Sequence, residues 1–380
     1  MDRRQWWIFG SIALLTLAAC GSTPAPTFSA STTPRSTSTG SSTPTTGVTA
    51  TRSAWTQIAT SSAPLARNSA GFAYDAATGT DLLTGGRTGC APGSGQYLDT
   101  WSWSGSAWTQ LHPTLDGPGQ MAWFTMAYDP ATRQDIAVGA YSGCGISTGM
   151  WTWNGSQWAQ APDSLAEPDA LASYSLAYDS SSHLLMLFGD SLSSVDGEPL
   201  LPGHEGSETW SWDGTRWTFL HPAASPPEIR DSAMTYDDAT HQIVLFGGDT
   251  RNPSTNMYTG SVGGTWLWNG TTWAQANPAE SPSPRFGASL AYDPDLGAAV
   301  LFGGVAGDVI AQPPTVAPTV FDDMWSWSGT TWTQLHPSTL PSGRFFSQMT
   351  YDATNHELVL FGGSLNQVAD ANDLWVFRTS

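Results

Sequence analysis

The chain contains no lysine. Its 13 basic residues are all arginine, set against 32 acidic residues for a formal net charge of −19 over 380 residues. Catalytic-lysine chemistry is therefore excluded. So little basic charge also argues against nucleic acid as a partner, because phosphate binding depends on clustered cations. Glycine and proline are plentiful, at 39 and 26 residues, but the glycines keep no three-residue period, which excludes a collagen-like chain. No segment shows the apolar periodicity of a helix. The apolar run at residues 6–19 has 14 residues, too few to span a bilayer as a helix. What the chain has in excess is tryptophan, 20 residues, and that excess needs an explanation.

The apolar run follows Arg3 and Arg4 and has the length of a signal-peptide core. It ends Leu17-Ala18-Ala19-Cys20-Gly21, which resembles a bacterial lipobox. The resemblance implies a lipoprotein signal peptide over residues 1–19, with Cys20 lipidated as the first residue of the mature chain. Such an anchor would hold the protein on the outer side of a bacterial membrane without crossing it. The alternative is an ordinary signal peptide with a chance cysteine. Residues 21–52 are almost all Ser, Thr, Pro, Gly and Ala, so they lack the apolar surface to offset ordering entropy. With Cys20 they are expected to form a disordered tether, reaching roughly 30 Å.

Beyond residue 53 one pattern recurs six times. Tyr-Asp stands at Tyr74-Asp75, Tyr128-Asp129, Tyr178-Asp179, Tyr236-Asp237, Tyr292-Asp293 and Tyr351-Asp352, spaced by 54, 50, 58, 56 and 59 residues. An apolar run ending in Gly follows each, as in Val244 to Gly248. Next comes W-x-W, at Trp101/Trp103, Trp151/Trp153, Trp210/Trp212, Trp266/Trp268 and Trp325/Trp327, with Trp375/Phe377 in the sixth copy. Five copies then carry a further Trp, at Trp108, Trp158, Trp217, Trp273 and Trp332. Each repeat reads as four short strands. The Asp closes a turn after the first, and Asn154-Gly155, Asp213-Gly214 or Asn269-Gly270 joins the third to the fourth in a tight hairpin.

Six such units predict an all-β, six-bladed β-propeller. The Gly pair, the downstream Trp and a Pro-x-x-Arg opening resemble the kelch family over residues 53–380. The last repeat ends after its third strand, while Trp55-Thr56-Gln57-Ile58 matches the fourth-strand sequences Trp108 to Leu111 and Trp332 to Leu335. The N-terminal strand, about 55–58, is therefore expected to complete the last blade and close the ring.

The alignment also filters motifs. His112, His221 and His336 share one slot after the fourth strand, and His183, His241 and His356 share another in the first turn, so only His204 is out of register. Ser211-Trp212-Asp213-Gly214 resembles a sialidase Asp-box, but it aligns with the ordinary hairpin. Asp99, Glu208, Asp323 and Asp373 each lie two residues before a W-x-W tryptophan and have a recurring, structural place.

Cys90 and Cys144 occupy equivalent loops of neighbouring repeats. Outside the cytoplasm they are expected to form a disulfide, with free thiols or a metal or redox role as alternatives. The acidic stretch 190–208, with Asp190, Asp196, Glu198, His204, Glu205 and Glu208, has no EF-hand spacing and reads as a solvated loop, with calcium as the alternative.

Departures from the repeat define the candidate site. Arg67, Arg285 and Arg344 lie seven residues before the repeat tyrosine, and Arg230 six before. At the mouth of a propeller channel they would hold an anion through guanidinium forks; the competing reading has them bonding the scaffold. Trp123 lies five before Tyr128, where Phe346 lies before Tyr351, and either aromatic could stack on a ligand.

The leading functional expectation is a surface-tethered binding module that takes a protein or glycan, with no cofactor or metal. An extracytoplasmic carbohydrate enzyme, with Tyr174 and Arg230 as members of its site, and a structural envelope component are the alternatives. The kelch resemblance brings copper radical oxidases into view, but their Tyr/His copper set and Cys–Tyr crosslink do not map onto this chain.

Overall fold

The computed structural model describes residues 53–379, except 89–94, 142–147, 162–167, 169–170, 192–193, 196–197, 200–205, 253–256, 308–317 and 367. The expected signal peptide, Cys20, Cys90, Cys144 and most of the acidic loop, His204 included, lie outside the described residues.

The described part contains six four-stranded antiparallel sheets, five of them up-and-down meanders. Sheet 1 runs Gly71–Asp75, Thr80–Thr84, Thr100–Trp103, Trp108–Leu111, and sheet 2 runs Met121–Asp129, Gln134–Tyr141, Thr148–Trp153, Trp158–Gln160. Sheet 3 runs Leu171–Asp179, Leu184–Ser191, Ser207–Trp212, Trp217–Leu220, and sheet 4 runs Ala233–Asp237, Gln242–Phe246, Thr265–Trp268, Trp273–Ala276. Sheet 5 runs Ser289–Asp293, Ala298–Phe302, Met324–Trp327, Trp332–Leu335. Sheet 6 takes Gln348–Asp352, Glu357–Phe361 and Leu374–Arg378 from the C-terminus and Ala54–Ile58 from the N-terminus, with Trp55 opposite Phe377. The first strands of successive sheets lie side by side, and that of sheet 1 lies beside that of sheet 6.

The tryptophans account for how the sheets pack. The second Trp of W-x-W faces the fourth-strand Trp in register, for example Trp103 opposite Trp108 and Trp327 opposite Trp332. Their ring centroids are 5.5 and 5.3 Å apart. The fourth-strand Trp then reaches the preceding sheet: Trp332 meets Phe246 edge-on at 5.2 Å, Trp273 meets Phe188 at 5.6 Å, and Trp108 meets Phe361 at 5.2 Å.

The indole N–H of the same residue finds the side chain just before W-x-W in that preceding sheet. Trp158 donates to Thr100 Oγ1 at 3.0 Å, Trp273 to Thr209 Oγ1 at 2.9 Å and Trp332 to Thr265 Oγ1 at 2.9 Å. Trp217 and Trp55 instead reach the sulfurs of Met150 and Met324, at 3.4 and 3.3 Å. Trp55 thus behaves as the fourth-strand Trp of sheet 6. At the remaining seam the equivalent residue is Leu374, which offers no acceptor, and the buried Trp108 Nε1 has no hydrogen-bond partner.

Each Tyr-Asp aspartate closes a turn by accepting the backbone N–H two residues on. Asp75 Oδ1 takes Ala77 N at 2.8 Å and Asp352 Oδ1 takes Thr354 N at 2.8 Å, and the other four do the same. The turn then needs a left-handed residue: Gly79 and Gly297 supply it at φ 70° and 65°, while Arg133, His183, His241 and His356 adopt φ between 54° and 58°. The three histidines each place Nδ1 within 3.3 Å of their own repeat's tyrosine hydroxyl. The tyrosines also bridge sheets, since Tyr74 meets Thr354 Oγ1 at 2.8 Å and Tyr351 donates to Asp295 Oδ2 at 2.6 Å.

Candidate functional site

The arginines expected at the channel mouth are framework. Arg67, Arg285 and Arg344 are 1%, 1% and 0% exposed. Arg67 forks onto Asp99 at 2.6 and 2.9 Å, donates to Gly85 O at 2.8 Å and donates through Nε to Leu65 O at 3.0 Å. Arg344 repeats the pattern on Asp373, Gly362 O and Ser342 O, and Arg285 repeats it on Asp323, Gly303 O and Ser283 O. Tyr97 and Phe321 cover the Arg67 and Arg285 guanidiniums at 4.1 and 3.8 Å.

Burial opposes ionisation of Asp99, Asp323 and Asp373, but the guanidinium and the indole N–H of Trp101, Trp325 or Trp375 hold each below the usual carboxylate range. The arginine backbone is engaged as well: Arg67 O accepts Gly363 N at 2.8 Å, Arg285 O accepts Gly248 N at 2.9 Å and Arg344 O accepts Gly304 N at 2.8 Å. Each arginine therefore binds its own sheet with its side chain and the preceding sheet with its backbone. The expected anion site at Arg67, Arg285 and Arg344 is corrected accordingly, because no donor of these three faces the channel. The first Gly of the pair is needed at these junctions at Gly247, Gly303 and Gly362, since a Cβ at Gly362 would stand 2.6 Å from Arg67 O.

Arg230 is set differently. Ile229 fills the buried arginine slot of sheet 4, and Arg230 falls one residue later, in the slot of Asn68, Phe286 and Phe345. Its Nε lies 3.5 Å from Asp231 Oδ2 and its Nη2 3.9 Å from Asp249 Oδ2.

The six first strands line a cavity of about 600 Å³. All six repeat tyrosines line it, with Phe72, Phe124, Met126, Met234 and Met349 along its length. At one end stand Ser69, Ser173, Asp231, Gly287 and Phe346, the residues five before the repeat tyrosine. The cavity's charged lining among the described residues is Asp231 and Asp238, with no basic side chain. Burial raises the Asp231 carboxyl, and Arg230 and Arg87 draw it back. Trp123, the sixth residue of that set, lies in Met121–Asp129 opposite Ala140, and its side chain lies outside the described residues. Tyr174 also lines the cavity.

Two further groups escaped the sequence reading. Arg87 directly follows the Gly pair of sheet 1 and donates from Nε to Asn68 Oδ1 at 3.3 Å. Its slot holds Asp249 in sheet 4 and Val305 in sheet 5, so variation after the Gly pair was the available signal. Asp81 and Asp135 are both 0% exposed, and none of their carboxyl oxygens has a hydrogen-bond partner. Burial pushes both well above the ordinary range, reinforced at Asp81 by Asp352 and Glu357 and at Asp135 by Asp75. Glu208, in the acidic stretch, is a structural acid that accepts the Trp210 indole N–H at 2.7 Å. Among the described residues no group of three His, Cys, Asp or Glu could hold a metal ion.

No protein-family model matches the chain, and no curated protein matches its sequence. The solved structure of YjhT, a β-propeller protein, is similar to it with a TM-score of 0.59 at 12% identity, over 84% of this chain and 97% of that one. At that identity the likeness concerns the fold alone. Together with the four-stranded antiparallel sheets it makes this chain an all-β protein of β-propeller type.

Proposed function

We propose that the chain is a kelch-type propeller of six blades, closed into a ring by its N-terminal strand and carried on a tether lipidated at Cys20 outside a bacterial membrane. In this reading it is a binding module that takes a protein or carbohydrate ligand at the loop face and channel mouth. The strand Ala54–Ile58, paired with Leu374–Arg378, supports the closure. The observation that carries the function is the contrast between scaffold and cavity. The recurring Arg, Asp, Tyr and Trp groups hold strands and turns together, whereas the side chains at one end of the cavity differ from blade to blade. Variable side chains on a repeated rigid scaffold are where recognition resides.

The test incubates the full detergent-solubilised chain with arrays of glycans and envelope proteins, then recovers the bound ligand. Saturable binding with the ligand recovered unchanged is the expected result. Multiple turnovers of the ligand into a product would replace the binding module with an enzyme.

A further inference from the structure

At four of the positions five residues before the repeat tyrosine, the fold keeps one backbone conformation and lets the side chain vary. Ser69, Asp231, Gly287 and Phe346 all adopt left-handed φ, at 53°, 54°, 61° and 53°. Their backbones link blade to blade: Ser69 N–H donates to Phe346 O at 3.1 Å, Phe346 N–H to Gly287 O at 2.7 Å and Gly287 N–H to Asp231 O at 2.9 Å. Asp231 N–H continues the chain to Ser173 Oγ at 2.8 Å. Apart from the Ser173 hydroxyl, the linkage uses backbone groups that any residue carries, so it dictates no side chain at Ser69, Asp231, Gly287 or Phe346.

A glycine would satisfy this backbone without strain, as Gly287 does. A phenylalanine at positive φ is an outlier for a bulky residue, and strain of this kind concentrates at ligand sites. The Phe346 ring is half-buried beside Gly287, where a Cβ would meet it at 2.9 Å. It is braced by Phe345 and Phe286 at centroid distances of 5.3 and 6.1 Å. Asp231 joins it in the cavity lining, with Arg230 Nε 3.5 Å from its carboxyl.

We propose that this set of side chains is the recognition ring of the channel mouth, and that its ligand is a neutral, hydroxyl-rich ring compound such as a terminal monosaccharide unit. The proposal rests on the binding-module reading and narrows it. An anionic ligand would find no basic side chain in the described lining. A cationic one would have to displace Arg230 from Asp231. A neutral sugar avoids both: its C–H face packs on Phe346, and its hydroxyls bond to the Asp231 carboxyl and to Ser69 and Ser173. The cavity of about 600 Å³ falls within the usual range for small-ligand sites.

The test uses the full chain in detergent, with ligand-observed NMR and calorimetry on a panel of neutral hexoses and disaccharides, a uronate and an amino sugar. Neutral sugars should bind best, with saturation transfer strongest at ring C–H protons. Phe346→Gly keeps the left-handed backbone and removes the ring, so it should weaken binding about tenfold or more with the melting temperature unchanged or raised. Asp231→Asn should weaken it by a similar factor. Preference for the uronate or the amino sugar, no binding by any neutral sugar, or unchanged affinity in Phe346→Gly would each overturn the proposal. If ligands found on the arrays still bind the two variants with full affinity, the ring is refuted and the binding-module reading stands. If the arrays find no ligand, that reading fails too.

Discussion

Replacing Asp81 with leucine should stabilise the protein, and by an amount that depends on pH. Asp81 lies seven residues after its repeat tyrosine, where sheets 3 to 6 carry Leu185, Ile243, Ala299 and Leu358, all at most 1% exposed. It sits in the second strand between Tyr74 and Trp103, fully buried, with neither oxygen hydrogen-bonded. Burial raises its pKa, and the Asp352 and Glu357 carboxylates across the seam with sheet 6 raise it further. The folded protein therefore keeps the proton while the unfolded chain releases it near pH 4. Stability is unaffected below that pH and falls as pH rises toward the raised folded value, by about 1.4 kcal/mol per pH unit.

Leucine removes that loss and adds about 2 kcal/mol of apolar burial, less about 1 kcal/mol if the slot is tight. The net expectation is a gain of about 1 kcal/mol at pH 4 that grows as pH rises toward 7. Asp81→Asn separates the two effects, since it abolishes ionisation but leaves a polar group in the slot. It should flatten the pH dependence with little gain at pH 4. Urea unfolding followed by tryptophan fluorescence from pH 4 to 8 measures both variants. A leucine variant less stable than the parent at pH 7, or an asparagine variant with the parent's pH slope, would refute the reasoning. Glu357 works in the same direction on the same seam: burial lifts it to about 7 despite Arg378 at 2.5 Å.

Two other substitutions test the framework. Arg285→Met should cost about 3 kcal/mol, because it strands the Asp323 carboxylate and the Gly303 carbonyl at a partly buried site, while ligand affinity at the mouth stays unchanged; lost affinity with intact thermal stability would return the arginine to the binding site. Leu374→Met should raise stability by roughly 0.5–1 kcal/mol by giving the Trp108 indole N–H the sulfur acceptor that Met324 gives Trp55, and Met324→Leu should lose a similar amount; equal melting temperatures for all three proteins would show that these indole bonds contribute nothing.

The contrast between what the sequence discloses and what it conceals follows from which contacts repeat. The Tyr-Asp turns, the W-x-W strands and the orphan Trp55 strand are legible because each is a local pattern copied round the fold. A copied pattern also separates the structural histidines and hairpin aspartates from false motifs. The role of the arginines is a pairing between distant loops, Arg67 with Asp99 and Arg285 with Asp323, and counting arginines at one opening does not expose it. Comparing blades does. Arg67, Arg285 and Arg344 occur in the blades that carry Asp99, Asp323 and Asp373 two residues before W-x-W. The sheets with Gly149 and Gly264 at that position have Met121 and Ile229 in the arginine slot, and the sheet with Glu208 there has Leu171. An aspartate present when the arginine is present, and absent when it is absent, is the mark of an ion pair inside each blade. The position of Phe346 and Asp231 follows another rule, because its residue differs from sheet to sheet while each side chain has its own neighbour, Gly287 beside Phe346 and Arg230 beside Asp231. On the proposed reading, the ring of Phe346, which its left-handed backbone does not require, is what a ligand selects.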